Sequence, residues 1–256
     1  MRDLPDGSVD MVLCDLPYGT TACKWDAVLP FDELWAEYWR VAKKDAAIIL
    51  TAAHPFTAAL AASQIRNFKY CWYWIKPQTT GFMNANKMPL KNVEEALVFY
   101  RAQPVYDPQG VTRVDRLNTR KRDKETTIYA DMGLKDGEYT QTLTNYPWQT
   151  LEFRREKGFH PTQKPVALFE YLIRTYTDED MVVLDNTAGS GTTAVAAENA
   201  GRRWICIERD EDYAAKAMER IRNHVDGEDS TVVPLMMPAK LTIEQRFALL
   251  WTAAAA

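Results

Sequence analysis

Val182-Val-Leu-Asp185-Asn-Thr-Ala-Gly189-Ser-Gly191-Thr-Thr193 is the stretch that decides the fold. A short apolar run ends on an acid and passes through small residues into Thr192 to Ala200, which reads as a helix stopped by Gly201. Arg203-Trp-Ile-Cys-Ile-Glu208 is the next strand, and its final carboxylate comes 17 residues after Gly191. Small residues at a strand-to-helix turn let a ligand approach the backbone, and a carboxylate at the tip of the neighbouring strand can accept both hydroxyls of a ribose. The pattern implies a nucleoside cofactor. Ala194 stands where a dinucleotide fingerprint would place its third glycine, and alanine is permitted there. The motif by itself therefore leaves NAD and S-adenosylmethionine both open.

Working outward, Phe159-His-Pro-Thr-Gln-Lys-Pro165 sets a polar cluster before a helix that runs from Pro165 to Tyr176. Free N–H groups at that helix start, with Lys164, would suit a carboxylate or phosphate. Glu211 to His224 is an amphipathic helix. The first hundred residues alternate in the same way. Val9 to Cys14 is a buried strand that stops at Asp15-Leu-Pro-Tyr-Gly19, Phe31 to Ala42 a helix, Ala46 to Thr51 a strand, and His54 to Ile65 a helix. Tyr70 to Ile75 and Ala96 to Tyr100 are further strand-like runs. The alternation predicts an α/β fold, a Rossmann-like and largely parallel sheet with helices on both faces.

Residues 101–158 break the pattern and read as an insert between a first half, 1–100, and a second half, 159–229, with a C-terminal tail at 230–256. Within the insert, Arg113, Arg116, Arg120, Lys121, Arg122 and Lys124 stand against Asp115 and Asp123, a local balance of +4. Such a run is by itself more often a solvated face than a binding site.

The whole chain is 256 residues with 31 Lys+Arg against 35 Asp+Glu, a net charge of −4, and is 46% apolar. That composition fits a soluble globular protein and argues against coating nucleic acid through bulk positive potential, so any such contact must be local. Cys14, Cys23, Cys71 and Cys206 form no CxxC pair, and the histidines are His54, His160 and His224. No metal site is expected, and free cysteines in apolar strands point to a reducing compartment, the cytoplasm. No run approaches a membrane span and the first residues lack a signal-peptide core, so neither export nor membrane insertion is expected.

Asp15-Leu16-Pro17-Tyr18 supplies a carboxylate, a backbone carbonyl and an aromatic ring at a strand end. Two acceptors gripping the hydrogens of an exocyclic amine would pull its nitrogen toward tetrahedral geometry and help it accept a methyl group. The ring would stack on a base flipped out of its duplex. Taken alone, the tetrapeptide is more simply a Pro-Tyr turn after a strand-end acid.

Taken together with Leu4-Pro-Asp-Gly-Ser-Val-Asp10, Gly81-Phe-Met-Asn-Ala-Asn-Lys-Met-Pro89, His160 to Pro165 and Asp185 to Thr193, it is not alone. Across residues 4–222 the chain resembles the amino-group DNA methyltransferases, in the permuted arrangement that places the catalytic motif first, a target-recognition insert next and the cofactor motifs last. The resemblance implies S-adenosylmethionine as cofactor and double-stranded DNA as partner. It puts Asp15, Leu16, Pro17 and Tyr18 on the target base. Asp185, Gly189, Ser190, Gly191 and Thr192 would line the cofactor, with Glu208 on its ribose and Thr162, Gln163 and Lys164 near its carboxylate. The basic run would then contact phosphates. Asp15 as first residue favours adenine N6, since serine is more typical of cytosine N4 enzymes. Cytosine N4 and a DNA-binding protein with a degenerate site are the alternatives. A homodimer, common in the family, is a further expected partner.

The chain departs from the family pattern at Leu16, where proline is usual, and at Asn186-Thr187, where Pro-Phe is usual. It also begins just after the place where relatives carry a further strand with an acidic residue, for which Ser230-Thr-Val-Val233 is the apparent substitute.

Overall fold

The computed structural model describes residues 1–20, 23, 26–120, 137–156 and 163–227; Ser230 to Val233 and the rest of the tail lie outside them. In chain order the elements are β1 (Val9–Asp15), α1 (Phe31–Val41), β2 (Ala42–Ala52), α2 (Phe56–Ser63), β3 (Phe68–Thr80), β4 (Lys91–Phe99), β5 (Thr112–Arg120), β6 (Gly137–Thr144), β7 (Thr150–Glu152), α3 (Val166–Tyr176), β8 (Val182–Asp185), α4 (Thr192–Asn199), β9 (Arg203–Cys206) and α5 (Glu211–Gly227). Among the described residues no helix is long and apolar enough to cross a membrane.

Two compact units result, one of residues 1–107 with 149–256 and one of residues 108–148. The larger holds a seven-stranded sheet in the order β7-β3-β4-β2-β1-β8-β9. β2, β1, β8 and β9 run parallel, whereas β4 is antiparallel to both β2 and β3. The expected sheet is thus mixed on one side. β3 and β4 are joined through the loop that starts at Gly81, without the helical crossover that parallel neighbours require.

Alternation along β1 makes the layers. Met11 and Leu13 enter one apolar cluster with α3, α4 and α5, while Val12 and Cys14 enter the other with α1 and α2. The helices match those faces. Leu34, Trp35, Tyr38 and Val41 of α1 are buried at helical spacing, as are Leu168, Phe169, Leu172, Ile173 and Tyr176 of α3. The connection from β1 to β2 leaves on one face and that from β8 to β9 on the other, in opposite directions along the sheet. The crevice at the carboxyl ends of β1 and β8 is therefore the topological switch point, where open α/β sheets hold ligands.

The second unit is narrower than the 101–158 insert expected from composition. At its start, the Asp107 N–H donates to the Thr175 carbonyl, 2.8 Å, within the larger unit. At its end, β7 pairs with β3 in parallel and buries Leu151 beside Trp72 and Trp74. A three-residue strand among polar neighbours has too little periodicity to be seen in sequence. Within residues 108–148, β5 and β6 form an antiparallel ribbon. Arg113 is opposite Leu143 and Arg116 opposite Gln141, so Val114 and Asp115 together face Thr142. This one-residue bulge returns Arg113 to the face that carries Arg116, Asn118 and Tyr139. The side chains of Arg113 and Arg116 are exposed.

Leu13 is fully buried between β2 and β8. Leu13→Ala is expected to cost about 2–5 kcal/mol through lost burial and the cavity left behind, read as a lower urea midpoint with unchanged denaturant slope.

Candidate active site

β1 and β8 are parallel neighbours that end on Asp15 and Asp185, and both acids border one cavity of about 790 Å³. Asp15 is a hub. Its Oδ1 accepts from the Thr51 hydroxyl at 2.5 Å and lies 2.8 Å from the Tyr18 hydroxyl; its Oδ2 accepts from Lys164 Nζ at 2.7 Å. Thr51 is there because β1 and β2 are in register, Asp15 opposite Thr51. An ionised carboxylate offers about four lone-pair sites. Among the described residues three donors reach Asp15, which leaves one site for an incoming N–H.

Lys164 is only 6% exposed and is shared between two carboxylates, since Glu94 Oε2 lies 3.3 Å away. Burial opposes its charge, but Asp15, Tyr18 and Glu94 outweigh that and raise Lys164 well above an ordinary lysine. Glu94 Oε1 in turn accepts from Lys76 Nζ at 2.7 Å. Burial would push Glu94 up, yet the two lysines hold it below its ordinary value.

Asp185 is 2% exposed and makes no ion pair among the described residues. Its oxygens accept from the Thr187 N–H at 3.0 Å and the Thr193 hydroxyl at 2.5 Å. Burial nevertheless pushes its carboxyl up to about 6. Thr187 also donates to the Asp15 carbonyl at 3.1 Å, so one residue ties both strand tips. Asn186 works from the other side: its Oδ1 accepts from the Tyr38 hydroxyl at 2.6 Å and from the Cys14 thiol at 3.1 Å. The departure from Pro-Phe at these two positions thus supplies a polar clamp between β1 and β8.

Beyond Asp185, Glu208 holds the glycine turn by accepting the Gly189 N–H at 2.7 Å and the Asp210 N–H at 2.9 Å. Arg220 of α5 donates to the Ser190 carbonyl at 3.0 Å and to Thr192 Oγ1 at 3.1 Å. Gln163 Oε1, on the wall of the same cavity, is a buried acceptor with no hydrogen-bond partner among the described residues. Such an atom is costly without a donor, and an amino-acid cofactor carries an ammonium. The strand-tip carboxylate Glu208, the small-residue turn and this orphaned acceptor together fit a nucleoside linked to an amino acid.

The structure gathers the expected residues with four differences. Asp15, Leu16, Pro17 and Tyr18, then Gln163, Lys164 and Asp185, then Gly189, Ser190, Thr192 and Glu208 all border the cavity. Gly191 does not. It caps α4 at φ +73°, and a Cβ there would come within 3.1 Å of Ile221 and 3.2 Å of Ala217, so its smallness serves packing against α5. Lys164 is spent on Asp15 and Glu94 and not held free for a cofactor carboxylate. The N-terminus of α3 is likewise taken from within, because the Val166 N–H donates to Glu156 Oε1 at 2.8 Å. Tyr18 stacks one face on Phe56, ring centroids 5.3 Å apart. Thr162, Lys121, Arg122 and Lys124, and the side chain of Arg120, lie outside the described residues.

Residues missed in the sequence are Thr51, Lys76, Glu94 and Asn186. The signal for Glu94 was available, since an acid inside a strand that continues as Ala96-Leu-Val-Phe99 must be paired if buried.

A family model described as DNA methylase matches residues 9–219. The chain is 26% identical over 251 residues to the type II methyltransferase M.HpaI of Haemophilus parainfluenzae, across 90% of this chain and 73% of that one. The crystal structure of the M1.HpyAVI–SAM complex superposes with a TM-score of 0.57 at 25% identity, covering 86% of this chain and 90% of that one. The cytosine-N4-specific PvuII DNA methyltransferase superposes with a TM-score of 0.59 at 17% identity, covering 99% and 88%, a likeness of fold.

Asp185 gives the site a stability signature. Its folded value near 6 lies above its ordinary 3.8, so the folded chain holds that proton more tightly. Its share of stability is present below about pH 4 and is lost as pH rises through 6, by roughly 3 kcal/mol at most. Urea unfolding of Asp185→Asn should lack that decline, and parallel curves for the two proteins from pH 4 to 7 would contradict it.

Proposed function

The chain belongs to the DNA methylase family, and on that footing we propose that it methylates the exocyclic N6 of adenine in double-stranded DNA, with S-adenosylmethionine as methyl donor. The observation that carries the reading is Asp15: a carboxylate at the switch point, fixed by Thr51, Tyr18 and Lys164, with one acceptor site still open. An amino nitrogen conjugated to a base ring is a poor nucleophile. Asp15 accepts one of its hydrogens and the Leu16 carbonyl accepts the other, which draws the lone pair out of conjugation. Leu16 suits that part, since its side chain is buried at 3% exposure and only its backbone role is called on. Tyr18, backed by Phe56, offers ring surface to a flipped base.

The cofactor contributes a methyl group on a sulfonium, already activated for transfer. In this reading Glu208, two residues beyond β9, takes its ribose hydroxyls, Ser190 and Thr192 line the rest of it, and Gln163 Oε1 accepts from its ammonium. Asp15 as the first residue of the tetrapeptide supports adenine over cytosine, where serine is more typical. Arg113 and Arg116, on one face of the β5–β6 ribbon, serve as phosphate contacts of the recognition unit. These assignments make the chain a modification enzyme of the cytoplasm.

Mass spectrometry of nucleosides from DNA incubated with the protein and S-adenosylmethionine tests the reading. N6-methyladenine is expected; N4-methylcytosine would replace the base assignment, and no methylated base would overturn the activity. Asp15→Ala should lower methyl transfer by at least ~10²-fold while binding of S-adenosylhomocysteine, measured by titration calorimetry, stays within a few-fold.

Binding to a duplex should weaken with salt. Arg113→Ala and Arg116→Ala should each lower the slope of log affinity against log salt by about one. An unchanged slope would return the ribbon to a solvated face.

A further inference from the structure

Four of the charged side chains on the cavity wall stand in contact in alternating order: Asp15, Lys164, Glu94 and Lys76. The separations are 2.7 Å from Asp15 to Lys164, 3.3 Å from Lys164 to Glu94 and 2.7 Å from Glu94 to Lys76. None is more than about a quarter exposed, the values being 23%, 6%, 19% and 7% in that order. Water screens such charges poorly, so their sum matters to whatever enters.

The reaction proposed above, on which this inference rests, brings in a cation. The donor is a sulfonium, and its positive charge passes to the amine nitrogen as the methyl moves. Lys164 is hydrogen-bonded to Asp15, the carboxylate assigned to that amine, so the reacting cation would meet a second positive charge in the same cavity. A buried ammonium there would repel the donor. Glu94 stands on the other side of Lys164, its Oε2 buried and 3.3 Å from the ammonium.

We propose that Glu94 is a charge-balancing residue: by offsetting Lys164 it lets the cavity hold the cationic sulfonium donor in preference to its uncharged thioether product. Lys76 sets how strongly Glu94 does so, since it draws on the opposite oxygen of the same carboxylate. The device separates two ligands that differ by one methyl group and one charge. A role in shape alone would not, because both fill the same nucleoside and amino-acid subsites.

Titration calorimetry of the full chain with S-adenosylmethionine and, separately, with S-adenosylhomocysteine provides the test. Glu94→Gln keeps size and removes charge. It should weaken S-adenosylmethionine by about tenfold or more and leave S-adenosylhomocysteine within about twofold. Lys76→Gln should move the ratio of the two affinities the other way. Equal losses for both ligands in Glu94→Gln would make Glu94 a structural residue and overturn the proposal. Should circular dichroism show that Glu94→Gln does not fold, Lys76→Gln decides alone, an unmoved ratio refuting the device. A wild-type chain that binds neither ligand would overturn the methyl-transfer reading itself, a result distinct from binding both with an unmoved ratio.

Discussion

Two acids end adjacent parallel strands, and that placement is the constraint around which the larger unit is arranged. Asp15 and Asp185 are drawn to one crevice by the pairing of β1 with β8, and like charges in a poorly screened place must be compensated. The chain treats them differently. Asp15 receives an ammonium and two hydroxyls, whereas Asp185 receives a hydroxyl and a backbone N–H, and burial raises its carboxyl to about 6. One acid is paired with an ammonium, and the other is held by neutral donors and takes up a proton more readily than an ordinary aspartate. Thr187, bonded to the side chain of one and the carbonyl of the other, fixes their separation.

Much of this was legible in the sequence, for a physical reason. Strands buried on both faces read as continuous apolar runs, and β1, β2 and β8 do so, ending on Asp15, Ala52 and Asp185. The helices announced themselves by spacing, with α1 and α3 beginning within a residue of the expected place. The antiparallel return of β4 was not visible, because a strand's hydrophobic pattern does not encode its direction. β7 was hidden for want of length.

Within the site, groups contributed by one peptide segment were readable and groups contributed across strands were not. Asp15 to Tyr18 and Gly189 to Thr192 are contiguous. Thr51 reaches Asp15 only through strand register, and Glu94 reaches Lys164 from a strand 70 residues away in sequence. Lys164 shows the cost of reading locally: before a helix it suggested an anion from outside, and the fold supplies two from inside. The same holds for the start of α3, whose N–H group is met by Glu156. Charge pairing depends on neighbours that only the folded sheet provides.

The glycine at 191 is held from behind. Its φ of +73° already disfavours other residues, and α5 closes the space where a side chain would go through Ala217 and Ile221. The turn that borders the cavity and the helix that backs it are therefore one unit of sequence variation. Descendants of this chain can reshape the turn at 191 only by thinning α5 at 217 and 221 in step, and an enlarged residue at either position would be felt in the cavity without ever touching it.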